Sequence, residues 1–291
     1  MKYVEILRQA EAALSACGVE ESRADAWYLF SHCFHMDRAR YLMSMGEEAP
    51  AGEAGAFLEL VGRRGKRIPL QQLLGTQEFM GLSFFVDSHV LIPRQDTEIL
   101  AEAVIREEEK RKDGPLRILD LCTGSGCIGI SLAVLLGRGG HSQFQVVLSD
   151  ISPEALFVAD ENICRLGCGD RCRTVRSDLF ESLSGQRFHV IVSNPPYIPP
   201  AVIEELSPEV RDHEPRLALD GGSDGLDFYR RIADRSPAFL EPGGVLWLEI
   251  GWDQAEAVSV LLKDGGFTDI TLKKDLAGKD RVIRAALPPS E

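Results

Sequence analysis

The stretch "RILDLCTGSGCIGISLAVLLG", Arg117 to Gly137, admits few architectures. A short apolar run leads into Gly124, Gly126 and Gly129, and a helical apolar pattern begins among those glycines. Strand, tight turn and helix in that order open a parallel crossover, because parallel strands need a connection long enough to hold a helix. The alternation then repeats. "QVVLSD", "CRTVRSD", "HVIVSN" and "GGVLWLEIG" read as further strands, with helical patterns in "SPEALFVADENICRLG", "GLDFYRRIADRSPAFL" and "DQAEAVSVLLKDGGF". "TDITLKKDL" and "DRVIRAAL" close as an antiparallel pair. The spacing predicts an α/β fold, a Rossmann-like and mostly parallel sheet with helices on its faces.

The glycines match G-x-G-x-x-G, a turn that brings backbone close to a ligand ahead of the open N–H groups of a helix. Asp150 ends the next strand, where a carboxylate grips both hydroxyls of a ribose. NAD and S-adenosylmethionine both carry that ribose, so the glycines leave the cofactor open. Asp120 stands just ahead of the turn, where it would repel a dinucleotide pyrophosphate but suit an α-amino group and a sulfonium. Asp178, read as the end of the third strand, can accept from an adenine amino group. Three strand-end carboxylates favour a cationic cofactor, although each could instead cap a helix.

"FHVIVSNPPYIPP", Phe188 to Pro200, runs from a β-branched strand into a stiff polar corner. Ligands of open α/β sheets sit outside the carboxyl ends of the strands, so this corner shares a rim with the glycine loop. Asn194 offers one carbonyl acceptor and one NH2 donor. Pro195 and Pro196 have fixed φ and no N–H, which aims backbone carbonyls outward, and Tyr197 adds a flat wall. Together they form a socket for a planar NH2 group, its nitrogen directed at the cofactor. The bland alternative is a structural turn, since N-P dipeptides mark turns.

Ahead of this region, residues 1–74 read as four or five short helices. In the first of them Val4, Leu7, Ala10 and Leu14 form the apolar stripe and Gly18 the stop. Residues 75–93 suggest a β-hairpin connector, and 94–291 form the larger domain. "RRGKR", Arg63 to Arg67, reads as a basic helix end that complements the helix dipole. The charged "REEEKRKDG" is expected to be a solvated helix end and loop, and "PPSE" a frayed tail.

Charge and cysteine content narrow the classes. The 32 basic and 45 acidic residues give a net charge of −13, which opposes non-specific attraction to phosphate backbones. Residues 1–75 carry 9 basic and 10 acidic side chains, so neither part resembles a phosphate-binding surface. No apolar run reaches membrane-spanning length, and the N-terminal pattern contains acids inside its apolar positions, so a cytoplasmic location is expected. Seven cysteines, an odd number, fit reduced thiols better than a disulfide framework. Cys164, Cys168 and Cys172 lack the paired spacing of a zinc site, so no metal is expected.

Several segments together resemble the N5-glutamine methyltransferases that modify peptide-chain release factors. They are "VLIPRQDTEIL" at 90–100, "DLCTGSGCI", "SDLF", "VSNPPYI", "EPRLALDGGSDGLDFYRRI" at 214–232, "LEIGWDQ" at 248–254 and "DLAGKDRV" at 275–282. The resemblance implies a methyltransferase sheet behind a small all-helical N-terminal domain that recognises the protein substrate. It also implies methyl transfer from S-adenosylmethionine, leaving S-adenosylhomocysteine, to the glutamine amide of a Gly-Gly-Gln motif. By the same carry-over Cys122, Thr123, Gly124, Ser125, Gly126, Asp150, Asp178, Leu179 and Asn194 bind the cofactor. Asn194, Pro195, Pro196 and Tyr197 form the catalytic corner, and Arg94, Thr97 and Glu98 join them in holding the substrate. Gln95 departs from the family's proline, and Cys122 stands where glycine is common.

The residues read without the resemblance reach only as far as amino or amide N-methylation. An N-methyltransferase of RNA or DNA amino groups is the alternative enzyme, and a non-catalytic cofactor-binding interaction module the alternative from another class. An NAD oxidoreductase ranks last, because no second catalytic constellation accompanies the glycines.

Overall fold

In the computed structural model, which describes residues 1–111, 114–141 and 143–289, helix α1 (Tyr3–Ala16) buries Tyr3, Ile6, Leu7, Ala10 and Leu14. The stripe therefore starts on Tyr3, with Val4 only half-buried, because Tyr3 packs edge-on against Phe30 and Phe34 of α2 (Ser22–Phe34). Helices α3 (Arg38–Ser44), α4 (Ala51–Gly65) and α5 (Leu70–Leu74) complete the bundle, with Phe57 and Leu73 in its core. Interlocking rings of Tyr3, Trp27, Phe30, Phe34 and Phe57 give a domain this small a large apolar burial per residue.

This unit, Met1–Thr76, also takes in Ser207–His213, a segment far along the chain that carries α10 (Pro208–His213). The basic run explains why. Arg64 is buried and donates to Asp25 (2.7 Å) and Glu209 (2.9 Å), while Arg67 donates to both oxygens of Glu209 (2.6 and 2.7 Å). The run is thus an ion-pair clamp as well as a basic helix end. Its partner lies about 140 residues away, which no local pattern announces.

The second unit comprises Gln77–Leu206 and the chain from Glu214 onward. It opens with a hairpin, β1 (Thr76–Phe79) and β2 (Leu82–Phe85), followed by α6 (Gln95–Glu108), β3 (Leu116–Leu121), α7 (Cys127–Arg138), β4 (Phe144–Asp150), α8 (Pro153–Arg165) and β5 (Cys172–Arg176). Then come β6 (Phe188–Ser193), α9 (Pro200–Ile203), α11 (Asp227–Arg235), β7 (Leu240–Glu249), α12 (Ala255–Asp264), β8 (Thr268–Lys274) and β9 (Asp280–Ala286). The sheet order is β5-β4-β3-β6-β7-β9-β8, parallel except for β9, which runs antiparallel to both β7 and β8.

Alternate residues of each strand serve opposite cores, as a sheet covered on both faces requires. Ile118, Val146 and Val190 meet α6, α7 and α8, while Leu119, Val147 and Ile191 share a core with Tyr229 of α11 and Val258 of α12. The hairpin is stitched to the sheet's helices and is part of this unit. Asn162 of α8 bonds both the N–H and the C=O of Phe85, and Glu98 of α6 accepts from the Met80 N–H.

One strand boundary differs from the expected one. Strand β5 stops at Arg176, with Ser177 N–H making the last ladder bond, to the Asp150 carbonyl, before Leu179 adopts a left-handed φ of 47°. Among the three clustered thiols, Cys164 is exposed on the last turn of α8, whereas Cys168 and Cys172 are buried. Lys112 and Asp113 of the charged loop and the last two residues of the expected tail lie outside the described residues.

The clamp has a measurable role in stability. Burial alone would raise the Glu209 pKa, yet hydrogen bonds from Arg67 and Arg64 overcome it and bring it to about 2. Its contribution is therefore fully present above the ordinary glutamate pKa and is lost below it, as pH falls through about 2. Glu209→Gln should lower stability at neutral pH by about 1 kcal/mol, a modest figure because the carboxylate keeps some solvent. Urea denaturation of the variant checks this, with Glu205→Gln at an exposed position as the control for which no loss is expected.

Candidate active site

The strand order reverses beside β3, with β4 and β5 on one side and β6 and β7 on the other. Loops leaving β3 and β6 must part there, which opens a crevice at the carboxyl ends. Register places Leu121 level with Ser149 and with Ser193, so the three loops begin at one height. A cavity of about 310 Å3 lies above them, lined by Cys122–Ser125, Ser149–Ser152, Asp178, Leu179, Asn194 and Pro196. That size suits a small-molecule cofactor.

Two carboxylates shape the glycine loop. Asp120 Oδ2 accepts from the Thr123 hydroxyl (2.5 Å) and the Gly129 N–H (2.8 Å), and Asp150 Oδ2 accepts from the Gly124 N–H (2.9 Å). Gly126 caps α7 at a φ of 81°, and a Cβ there would sit 2.6 Å from Ile130 Cδ1. Gly126 is therefore a requirement of the turn and does not face the cavity, whereas Gly124 does, with open space where a Cβ would stand. Asp120 is also away from the lining. It is wholly buried beneath the loop, so its part is to hold the loop rather than to meet an amino group directly.

Asp150 Oδ1 accepts from the Ser152 N–H (3.0 Å), which leaves lone pairs on both oxygens for a vicinal diol. Asp178 lines the cavity but is paired with Arg231 of α11 (2.7 Å). Arg231 and its neighbour Phe228 also line it, and neither was expected from the sequence. The helix "GLDFYRRI" carries an apolar stripe that marks its buried side only, and these two residues lie beside that stripe.

Cys122 and Leu179 have positive φ, 60° and 47°, in residues with a Cβ. Both flank the cavity, where backbone strain commonly gathers. The left-handed conformation gives the reason glycine is usual at the position of Cys122. Burial and the nearby Asp150 push the Cys122 thiol well up, so it stays protonated and unreactive.

At the corner, Asn194 and Pro196 face the cavity, while Pro195 and Tyr197 are not on its lining. Asn194 Nδ2 donates to the hydroxyl of Thr97 (3.3 Å), and Tyr197 donates to Glu249 Oε1 (3.3 Å). Arg94 lines the cavity and pairs with Glu214 (2.6 Å). Thr97 lines it too, but Glu98 does not, being occupied by the Met80 N–H of the hairpin. Among the described residues no helix is long and apolar enough to cross a membrane, and no group of three or more His, Cys, Asp or Glu could hold a metal ion.

Burial raises the pKa of Asp120 to about 7, against the hydrogen bonds from Thr123 and Gly129. A carboxyl whose folded pKa lies above its unfolded value stabilises the fold fully at low pH and loses that contribution as pH rises through the folded value. The melting temperature should therefore fall by several degrees between about pH 4 and pH 7, the interval between the unfolded and folded values, and level off above it. Asp120→Asn, which keeps an acceptor for Gly129 but cannot ionise, should flatten part of that slope in calorimetric scans.

Comparison with known proteins agrees with this arrangement. The model described as PrmC N-terminal domain matches residues 5–75, and that described as Methyltransferase small domain matches residues 95–205. The chain is 44% identical over 278 residues to the "Release factor glutamine methyltransferase" of Geobacter sulfurreducens, covering 96% of this chain and 94% of that one. Its identity to the protein of the same name from Moorella thermoacetica is 43% over 286 residues, 98% of each chain. In fold alone it is similar to the hMettl16 catalytic domain solved in complex with the MAT2A 3′UTR hairpin 6, at a TM-score of 0.56 and 16% identity, covering 80% of this chain and 83% of that one. With relatives this similar along almost their whole length, the chain belongs to the release factor glutamine methyltransferase family.

Proposed function

We propose that the chain transfers a methyl group from S-adenosylmethionine to the side-chain amide nitrogen of the glutamine in the Gly-Gly-Gln motif of peptide-chain release factors. One observation carries the reading: Asn194 faces the same cavity as the glycine loop, with one N–H of its amide directed at the Thr97 hydroxyl. Its carbonyl oxygen is then the group left for a substrate NH2. A corner that offers an acceptor selects an amide or amine by its hydrogens.

The lining fits the cofactor on its own chemistry. The open cradle at Gly124 admits close backbone approach, Asp150 keeps lone pairs for a ribose diol, and the acids around the cavity suit a cation. Thr123, Gly124 and Ser125 would hold the methionine part, Asp150 the ribose, and Asp178 with Leu179 the adenine end. When bound, S-adenosylmethionine supplies an electrophilic methyl group and leaves as S-adenosylhomocysteine.

The residues of the corner do the rest. Asn194 and the Pro195 carbonyl hold the two amide hydrogens, which turns the nitrogen toward the methyl group. Pro196 and Tyr197 restrict the plane of the amide, and Arg94 and Thr97 border the entry. As the N–CH3 bond forms, the amide gives up one proton to an acceptor that water can reach. Fixing a poor nucleophile in line is the main contribution, and such placement is worth several kcal/mol.

Purified protein with labelled S-adenosylmethionine should label an intact release factor and leave its Gly-Gly-Ala variant and total RNA unlabelled. Label on RNA would instead favour a nucleic-acid amino group as the acceptor. Asn194→Ala should lower kcat by about 100-fold or more while S-adenosylhomocysteine affinity, read by calorimetry, stays within a small factor.

A further inference from the structure

Two stretches have no part in the lining of the cavity: "LEIGWDQ", and the loop "DGGSDG", Asp220 to Gly225, ahead of α11. Both converge on the far end of the corner. Gln254, half-buried at the N-terminal cap of α12, donates through Nε2 to the carbonyls of Tyr197 (3.1 Å) and Gly225 (3.2 Å), and its Oε1 accepts from the Gly251 N–H (2.9 Å). Donor and acceptor sides of the amide are both spent on backbone, which fixes its orientation.

Glycines make room for this junction. A Cβ on Gly251 would stand 2.7 Å from Gln254 Oε1, and one on Gly225 would stand 2.7 Å from Nε2 and 2.4 Å from the Tyr197 carbonyl oxygen. A Cβ on Gly221 would stand 2.6 Å from Tyr197 Cα. Side chains are thus absent at the places where they would push the amide out or the corner away. Three backbone stretches distant in sequence close on one side chain.

What the junction holds follows from the backbone of the corner. At its start Ser193 is level with Leu121 of β3 and Leu248 of β7, so the sheet anchors it. Pro195 and Pro196 have fixed φ, and Asn194 and Pro195, each followed by a proline, are steered to extended ψ. The freedom that remains gathers at Pro196 ψ and at Tyr197. There the peptide between Tyr197 and Ile198 is held on both sides, its carbonyl by Gln254 and its N–H by the Leu219 carbonyl (2.9 Å).

We propose that Gln254 is a positioning residue for methyl transfer: by tying the Tyr197 carbonyl to the loop before α11 it closes the hinge at Pro196–Tyr197, and so fixes the direction of the Pro195 carbonyl and of the wall beside it. The inference rests on the reading of Asn194–Tyr197 as the socket for the substrate amide. Gln254 touches neither substrate nor cofactor and acts through the Tyr197 backbone. With the hinge open, the acceptors for the two amide hydrogens no longer keep one geometry, and the nitrogen is less often in line with the methyl group. Cofactor affinity is spared, because Gln254 makes no hydrogen bond to Thr123, Gly124, Ser125 or Asp150.

The test is release-factor methylation by the full chain at saturating S-adenosylmethionine, with Gln254→Met and Gln254→Glu against wild type. The first variant keeps a similar length and loses the amide's hydrogen bonds. The second, ionised, keeps an acceptor for the Gly251 N–H but has no hydrogen for the two carbonyls. Both should lower kcat by about 10-fold to 100-fold, with S-adenosylhomocysteine affinity by calorimetry unchanged within about two-fold. Wild-type kcat in a folded Gln254→Met would overturn the proposal. So would a loss in Gln254→Met that Gln254→Glu restores, since that assigns the effect to Gly251 and the start of α12, and so would a parallel fall in cofactor affinity. Should both variants fail to fold, Gly251→Ala decides, because its Cβ displaces the amide at a position without a left-handed φ. It should lose kcat by a similar factor, and full kcat there refutes the role. Asn194→Ala separates the two readings. Full activity there removes the socket itself, whereas an inactive Asn194→Ala beside an unaffected Gln254→Met removes only the role of Gln254.

Discussion

Two carboxylates on neighbouring strands hold the loop between β3 and α7, Asp150 by accepting from the Gly124 N–H and Asp120 by accepting from the Thr123 hydroxyl and the Gly129 N–H of α7, and the cavity depends on that grip. A glycine-rich turn is entropically costly to order, and left to itself it would sample many conformations. Hydrogen bonds to carboxylates are stronger than those between neutral groups, so two of them can define one shape. The consequence reaches along the rim. With the loop fixed, Asp150 stays on the lining of the cavity, and Cys122 is held at a φ that a side chain resists.

The corner after β6 is restrained by different means to a similar end. Pro195 and Pro196 fix the chain from within, while contacts from distant segments fix it from outside. Gly221 and Gly225 admit the Tyr197 backbone, Gln254 ties its carbonyl, and Glu249 meets its hydroxyl. These restraints come from the loop before α11 and from the end of β7. The corner is thus over-determined, which is what holding a weakly nucleophilic nitrogen in line demands. The buried Glu249 is costly where it stands, and the hydrogen bond that its Oε1 accepts from the Tyr197 hydroxyl offsets part of that cost.

The strands and the glycine loop were legible because their signals are local. β-branched runs, turn glycines and helical periodicity each lie within about 15 residues. The placements of Asn194 and Asp150 on one rim follow from parallel order alone. Pairings were not legible. Glu98 and Asp178 look like site residues in sequence, yet Glu98 serves the hairpin N–H of Met80 and Asp178 shares its carboxylate with Arg231. The basic run at 63–67 hid a clamp on Glu209, whose partners are about 140 residues apart.

By itself, the sequence determined the order of strands and helices, the turn at Gly124–Gly126 and the chemistry available at Asn194–Tyr197, since these rest on the conformational limits of glycine, proline and β-branched residues. Tertiary structure alone decided which carboxylates face the cavity and which are spent beneath it, and which side of the Asn194 amide is free. A carboxylate or an amide has the same donors and acceptors wherever it stands. Its role is set by the partner that occupies them, and that partner is chosen by folding across distances over which sequence carries no pattern.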